Sequence, residues 1–305
     1  MMRGSLWPSG KFTLAEVPFG LSIDTNSHKT TKTTVKKSPS RRGKNGITKY
    51  GRNMVESAAT ILEESIGKQN LSFITCTLPS LEPAELIELT NLWSELSRQF
   101  LQRLRRLMES KGLNPDNYVY CTEIQEKRYL NRGEIAPHFH ILIQGKFPNG
   151  HWLIHYDELA YEWEQSLSHF LGRPVDCSSA TRIERIRKSA ANYLGKYMSK
   201  GGPIIDLIKE NGYADILPLS WWGASLCLKR QVKRRVKRIG SQFYESLEKL
   251  AELNLLHYRK FLISINGESD DEILVVKGYL TDKEGMRVVA ASLSIDDCFL
   301  DEDSI

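Results

Sequence analysis

Residues 137–144 read PHFHILIQ, an apolar run of strand length that carries two histidines one residue apart. Side chains alternate across a strand, so His138 and His140 share one face and Phe139 takes the other. The β-branched residues that follow favour a pleated, half-buried strand. Two neutral imidazoles on one face suit a divalent metal, and they suit equally well a pair of hydrogen-bonded, partly buried side chains. The spacing alone does not choose between the two, so the choice falls to the rest of the chain.

Working outward, YVYCTEIQ (118–125) reads as a second strand, separated from the first by a polar stretch with Gly133, and the two are expected to pair antiparallel. A third strand is expected in NLSFITCTLPS (70–80), stopped by Pro79. VDCSSATRIERI (175–186) gives a fourth, or a broken pair. Helices are expected from about Met54 to Ile66 before Gly67, and from Pro83 to Ser110, where Leu86, Leu89, Leu92, Leu96, Phe100, Leu104 and Leu107 recur at helical spacing. YDELAYEWEQSLSHFLG (156–172) and SAANYLGKYMSKGG (189–202) are two more, each ended by glycine. The order of elements predicts an α+β fold, a central antiparallel β-sheet with helices packed on it, plus a mainly helical C-terminal extension.

The expected organisation is a basic, poorly ordered N-terminal arm over 1–52, a main domain over 53–202, a basic helical extension over 203–260 and a small β-containing segment with an acidic tail over 261–305. The arm is supported by residues 28–52, which hold nine Lys/Arg and no acid. From Glu268 onward there are eleven acidic and three basic side chains, so the remainder carries about +13 against a total of +5. Such a field favours a polyanionic partner. Lys229, Arg230, Lys233, Arg234, Arg235, Lys237 and Arg238 put seven cations within ten residues, a candidate phosphate-tracking stripe beside a candidate stacking pair, Trp221 and Trp222. A hydrophobic fraction of 41% and no apolar run near the roughly 20 residues of a membrane span exclude a membrane protein of the helical class. Five dispersed cysteines without a C-x-x-C pair fit free thiols in a reducing cytoplasm.

Some fifty residues after the histidines comes NYLGKYMSK (192–200). Tyr193 and Tyr197 lie one helical turn apart on one face, each followed three positions later by a lysine, Lys196 and Lys200. Tyrosines so spaced are commonly packing residues. Taken with the upstream histidines, however, they complete a set. FITCTLP, PHFHILI and YLGKYMSK stand in the order of three motifs of the HUH endonucleases, and residues 70–202 resemble the rolling-circle replication initiators of plasmids and phages in their two-tyrosine form. Two-tyrosine transposases and conjugative relaxases share this chemistry. Relaxases usually carry the tyrosine before the histidines, and the zinc module common among the transposases has no counterpart here.

The resemblance implies the HUH nuclease fold and cleavage of single-stranded origin DNA by a tyrosine hydroxyl, leaving a 5′-phosphotyrosine and a free 3′-OH. It implies Mg²⁺ or Mn²⁺ held by His138, His140 and an acid; Glu123, inside the expected strand and in an E-x-Q pattern, is preferred to Glu126. Tyr193 and Tyr197 become the nucleophiles, and Lys196 and Lys200 would lower a phenol pKa or hold the phosphate. A host helicase and polymerase would be the partners. Two other classes stay open on the sequence: a nucleic-acid-binding protein whose histidines and tyrosines are structural, and a metal-dependent hydrolase that uses an activated water.

Overall fold

The computed structural model describes residues 2–16, 46–145, 152–187, 189–264 and 272–280. Its elements begin with β1 (Met2–Leu6), β2 (Lys11–Glu16), α1 (Lys49–Ile66), β3 (Leu71–Thr77), α2 (Pro83–Asn91), α3 (Trp93–Ser110), β4 (Tyr118–Ile124), α4 (Glu126–Arg132) and β5 (Pro137–Gln144). They continue with α5 (Tyr156–Leu171), β6 (Thr181–Arg185), α6 (Ala190–Glu210), β7 (Trp222–Ala224), α7 (Leu226–Arg235), β8 (Lys237–Gly240), α8 (Ser241–Glu252), β9 (Leu256–Ser264) and β10 (Glu272–Leu280). The chain divides into two compact units, residues 37–231 and residues 1–36 with 232–305.

In the unit 37–231 the strands form one antiparallel sheet in the order β6-β3-β5-β4-β7, with helices on it, an α+β architecture. Alternation along β5 sends Phe139, Ile141 and Ile143 into a core built with Ile74 and Cys76 of β3 and with Trp93, Leu96, Phe100, Trp163 and Leu167 of α3 and α5. Two of its indoles donate hydrogen bonds into the sheet: Trp93 Nε1 to Thr122 Oγ1 at 3.0 Å and Trp163 Nε1 to the Thr77 carbonyl at 2.8 Å. Phe100 is fully buried, edge-on to Trp163 at 4.9 Å between centroids. Phe100→Ala is expected to cost about 3–5 kcal/mol, read as a lower midpoint in urea denaturation.

The opposite face of the sheet carries His138 and His140 and receives α1 and α6. Helix α1 presents Val55, Ala58, Ala59 and Leu62, all fully buried. Its Gly51 lies so close to the Trp222 ring that a Cβ there would collide with it. Trp221 and Trp222 are themselves 1% and 4% exposed, which corrects their reading as a stacking platform: their apolar area is spent in the core.

Two helices differ from the sequence reading. The span 83–110 is broken at Leu92 into α2 and α3. Helix α6 does not stop at its glycines but continues through Gly201, Gly202 and Pro203 to Glu210. The extra turns bury Ile204, Ile205 and Ile208, and that apolar gain outweighs propensity penalties of about 1 kcal/mol per glycine and about 3 kcal/mol for the proline.

The second unit is a five-stranded antiparallel sheet in the order β8-β1-β2-β10-β9, and among the described residues one helix, α8, packs on it. Residues 2–16, read from composition as part of a basic arm, are its β1–β2 hairpin; residues 17–45 of that arm lie outside the described residues, as does the acidic tail beyond Leu280. Among the described residues no helix is long and apolar enough to cross a membrane.

Candidate metal and nucleophile site

Strand register decides which side chains meet. In the β4–β5 ladder Glu123 is paired with His138 and Cys121 with His140, and in the β3–β5 ladder Thr75 is paired with His140. The two histidines, Glu123 and Thr75 therefore share the face under α6. Glu123 Oε2 lies 2.9 Å from His140 Nε2, and Thr75 Oγ1 lies 3.1 Å from His140 Nδ1. One ligand atom each from Glu123, His138 and His140 falls within 4.8 Å of the others. Glu126, the alternative acid, is exposed in the first turn of α4 and takes no part in this group.

The donor set fits a divalent cation. Two neighbouring ligands of an octahedral ion, each about 2.1 Å from it, stand about 3 Å apart, close to the Glu123–His140 separation. Thr75 supplies the outer partner that a metal-bound imidazole usually has: with Nδ1–H donating to Thr75 Oγ1, the Nε2 lone pair faces the carboxylate, and a cation between them reconciles two electron-rich groups. With the other tautomer, Nε2–H donates to Glu123 and Thr75 donates to Nδ1, a closed arrangement for the metal-free protein. Glu123 and His140 are 9% and 2% exposed and His138 is half-buried, which leaves the approach on the His138 side.

Helix α6 brings the tyrosines. Its first turn is held by the Ser189 side chain, which accepts from Asn192 N, and by Glu63 of α1, which accepts from Ala190 N at 2.7 Å. Leu194 and Met198 are buried, and Tyr193 and Tyr197 flank that stripe half-buried. The Tyr197 ring lies 3.9 Å from the His140 ring, centroid to centroid, and the two tyrosines are 6.1 Å apart. Phe73 of β3 is the shared floor, 4.6 Å from Tyr193, 5.3 Å from Tyr197 and 5.5 Å from His140. Packing and proximity to the Glu123, His138 and His140 group are therefore both properties of these tyrosines. Arg52 of α1 lines a narrow cleft together with Tyr197, Met198, Ile205 and Trp221.

The phenols titrate opposite to expectation. Burial pushes Tyr197 up to about 12, helped by Tyr193, Glu184, Glu123 and Cys121. Tyr193 is also raised, by burial and then by Glu184, with Arg182 and Arg187 pulling the other way. Lys196 Nζ lies 5.7 Å from the Tyr197 ring centroid, exposed, and does not overcome the desolvation. The side chain of Lys200 lies outside the described residues. Phe73, Glu184, Arg182 and Glu63 were not singled out from the sequence. Alternation along β3 places Phe73 and Thr75 on one face, but only register puts that face beneath the tyrosines.

The basic run is divided. Lys229, Arg230, Lys233, Arg234 and Arg235 belong to α7, while Lys237 and Arg238 belong to β8. Arg230, Lys233, Arg234, Arg235 and Arg238 are exposed; Lys229 and Lys237 are half-buried.

No curated protein and no solved structure matches the chain. A family model does: residues 71–202, which hold β3 to β6, the Glu-His-His group and both tyrosines, are similar to the replication-associated protein ORF2 family.

Proposed function

We propose that the protein is a replication initiator of the HUH type that cuts single-stranded origin DNA with a tyrosine and later rejoins the strand. The observation that carries this reading is the meeting of Glu123, His138, His140 and Tyr197 on one sheet face within residues 71–202. Glu123, His138 and His140 hold Mg²⁺ or Mn²⁺, which neutralises and orients the scissile phosphate when bound. The tyrosine oxygen attacks phosphorus in line, the bond to the 3′ oxygen breaks, and the products are a 5′-phosphotyrosine and a free 3′-OH. The attacking phenol, raised by burial, passes its proton to solvent as it attacks rather than beforehand, and the departing 3′ oxygen takes a proton up from solvent. Lys196 and Lys200 neutralise the phosphate charge, and the second tyrosine serves a second cut at the regenerated origin. In this reading Thr75 positions His140, a host polymerase extends the 3′-OH behind a host helicase, and the site of action is the cytoplasm.

Incubating the protein with labelled single-stranded origin DNA and Mn²⁺, then boiling in detergent, tests the proposal. A labelled protein band is expected. Cleavage without attached protein would point to an activated water instead, and binding without cleavage to a structural role for all these side chains.

The exposed part of the basic run is assigned to phosphate contacts. Neutralising Arg234 and Arg235 together is expected to weaken single-strand binding and to flatten its log–log salt dependence by about 0.7 per lost contact. An unchanged slope would make the run a solvated surface.

A further inference from the structure

The sheet of residues 1–36 and 232–305 has two unlike faces. Against α8 it buries Leu6, Phe12, Leu14, Leu256, Val276 and Leu280. The other face is set by the same register: Arg3 and Ser5 of β1, Lys11, Thr13 and Ala15 of β2, Arg238 of β8, Val275, Lys277 and Tyr279 of β10, and His257, Arg259 and Phe261 of β9 stand side by side, and of these Val275 is buried. All five of these Lys and Arg side chains are exposed. No acid lies among the described residues of that face. Two of its aromatic side chains are large, apolar and accessible: Tyr279 is 51% exposed and Phe261 41%. Tyr279 lies against His257 at 5.3 Å, and Lys277 Nζ stands 5.2 Å over the Phe261 ring, so cation and aromatic alternate across neighbouring strands.

We propose that this face is a platform for single-stranded DNA, separate from the cutting site. A face formed only to be solvated has no reason to expose two large rings. Protein interfaces are depleted in lysine, and this face carries Lys11 and Lys277. Phosphates seek the exposed cations Arg238, Arg259 and Lys277, and unpaired bases have the π-faces that Tyr279 and Phe261 can stack. Duplex DNA keeps its bases stacked on one another and has no use for the rings. The area lies outside residues 71–202 and its function does not depend on the tyrosine chemistry.

The test uses the full-length protein with Tyr193→Phe and Tyr197→Phe, so that covalent attachment contributes nothing, and a mixed-sequence single-stranded oligonucleotide read by fluorescence anisotropy. Arg259→Gln with Lys277→Gln is expected to weaken binding and flatten the salt slope by about 1.4. Phe261→Ala with Tyr279→Ala is expected to weaken binding at least about 5-fold at every salt concentration with the slope kept, since stacking is worth about 1–3 kcal/mol per base. All four side chains are exposed, and gel filtration with circular dichroism checks that each variant is folded. Iodouridine cross-links at Tyr279 or Phe261, mapped by mass spectrometry, would support the proposal independently. Unchanged affinity in both variants would overturn it. So would an equal loss of duplex binding in the aromatic variant, a preference for RNA, or tighter DNA binding after Arg259 and Lys277 are neutralised, which would make an acidic segment of the chain itself the occupant. Adduct formation by the same substitutions in the otherwise unaltered protein, at saturating DNA, is expected to be unchanged; that arm reads the cutting site alone.

Discussion

A protein with Tyr193→Phe and Tyr197→Phe is expected to form no covalent adduct with single-stranded DNA while still binding it. Each substitution removes one oxygen and keeps the ring, so the packing on Phe73 and the 3.9 Å approach of residue 197 to His140 survive. The candidate metal ligands Glu123, His138 and His140 are untouched. Single variants divide the work between the two. Tyr197 is the one against His140, and its loss is expected to abolish the first cut or to leave a residual cut by Tyr193 from the adjacent turn. Either single variant is expected to fail in the full cycle of cutting and rejoining. Peptide mapping of the trapped adduct decides: a nucleotide on any residue other than these two refutes the assignment.

His138→Ala or His140→Ala is expected to lower cutting by about 10³-fold or more at saturating metal, because charge stabilisation of several kcal/mol at the phosphate is lost. Single-strand affinity should stay within about threefold of the parent, since phosphate contacts elsewhere supply most of it. Chelation should mimic the substitution in the parent protein and be reversed by added Mn²⁺. Cutting at the parental rate by either variant would exclude these imidazoles as ligands, and calorimetric Mn²⁺ titration of the same variants gives a readout free of catalysis. Thr75→Val is a finer probe of the same site: it should weaken Mn²⁺ binding about 10- to 100-fold through the orientation of His140.

The parts legible in the sequence were those with a period. The alternation of PHFHILIQ places both histidines on one face, and helical spacing in 83–110, 156–172 and 189–202 finds α2, α3, α5 and the first part of α6, whereas α4 lies in the stretch read as a polar connection. The motif points to Glu123 as the acid of the candidate metal group, and the β4–β5 register pairs it with His138. What the sequence did not display depends on distant partners. The β1–β2 hairpin was lost in a basic window because β2 pairs with β10, near the other end of the chain. Continuation of α6 past two glycines and a proline rests on three isoleucines finding a core. The rise of the phenol pKa values has the same origin: lysines are visible at i+3, whereas desolvation belongs to the assembled fold.

The pairing of Glu123 with His138 has a consequence for how this chain can change. Three donors on two neighbouring strands stay together only while both strands keep their parity. Deleting one residue inside either strand turns all later side chains to the far side of the sheet and takes the donors apart in one step. In the connection between them the ends are held by the bond from Gln125 N to the Ala136 carbonyl, Tyr129 and Ile135 are buried and Arg128 donates to the Leu78 and Pro79 carbonyls, so the exposed tip at residues 130–133 is the part that can change length without moving the donors. Relatives of this protein can thus be expected to vary in length at that tip and hardly at all within the two strands.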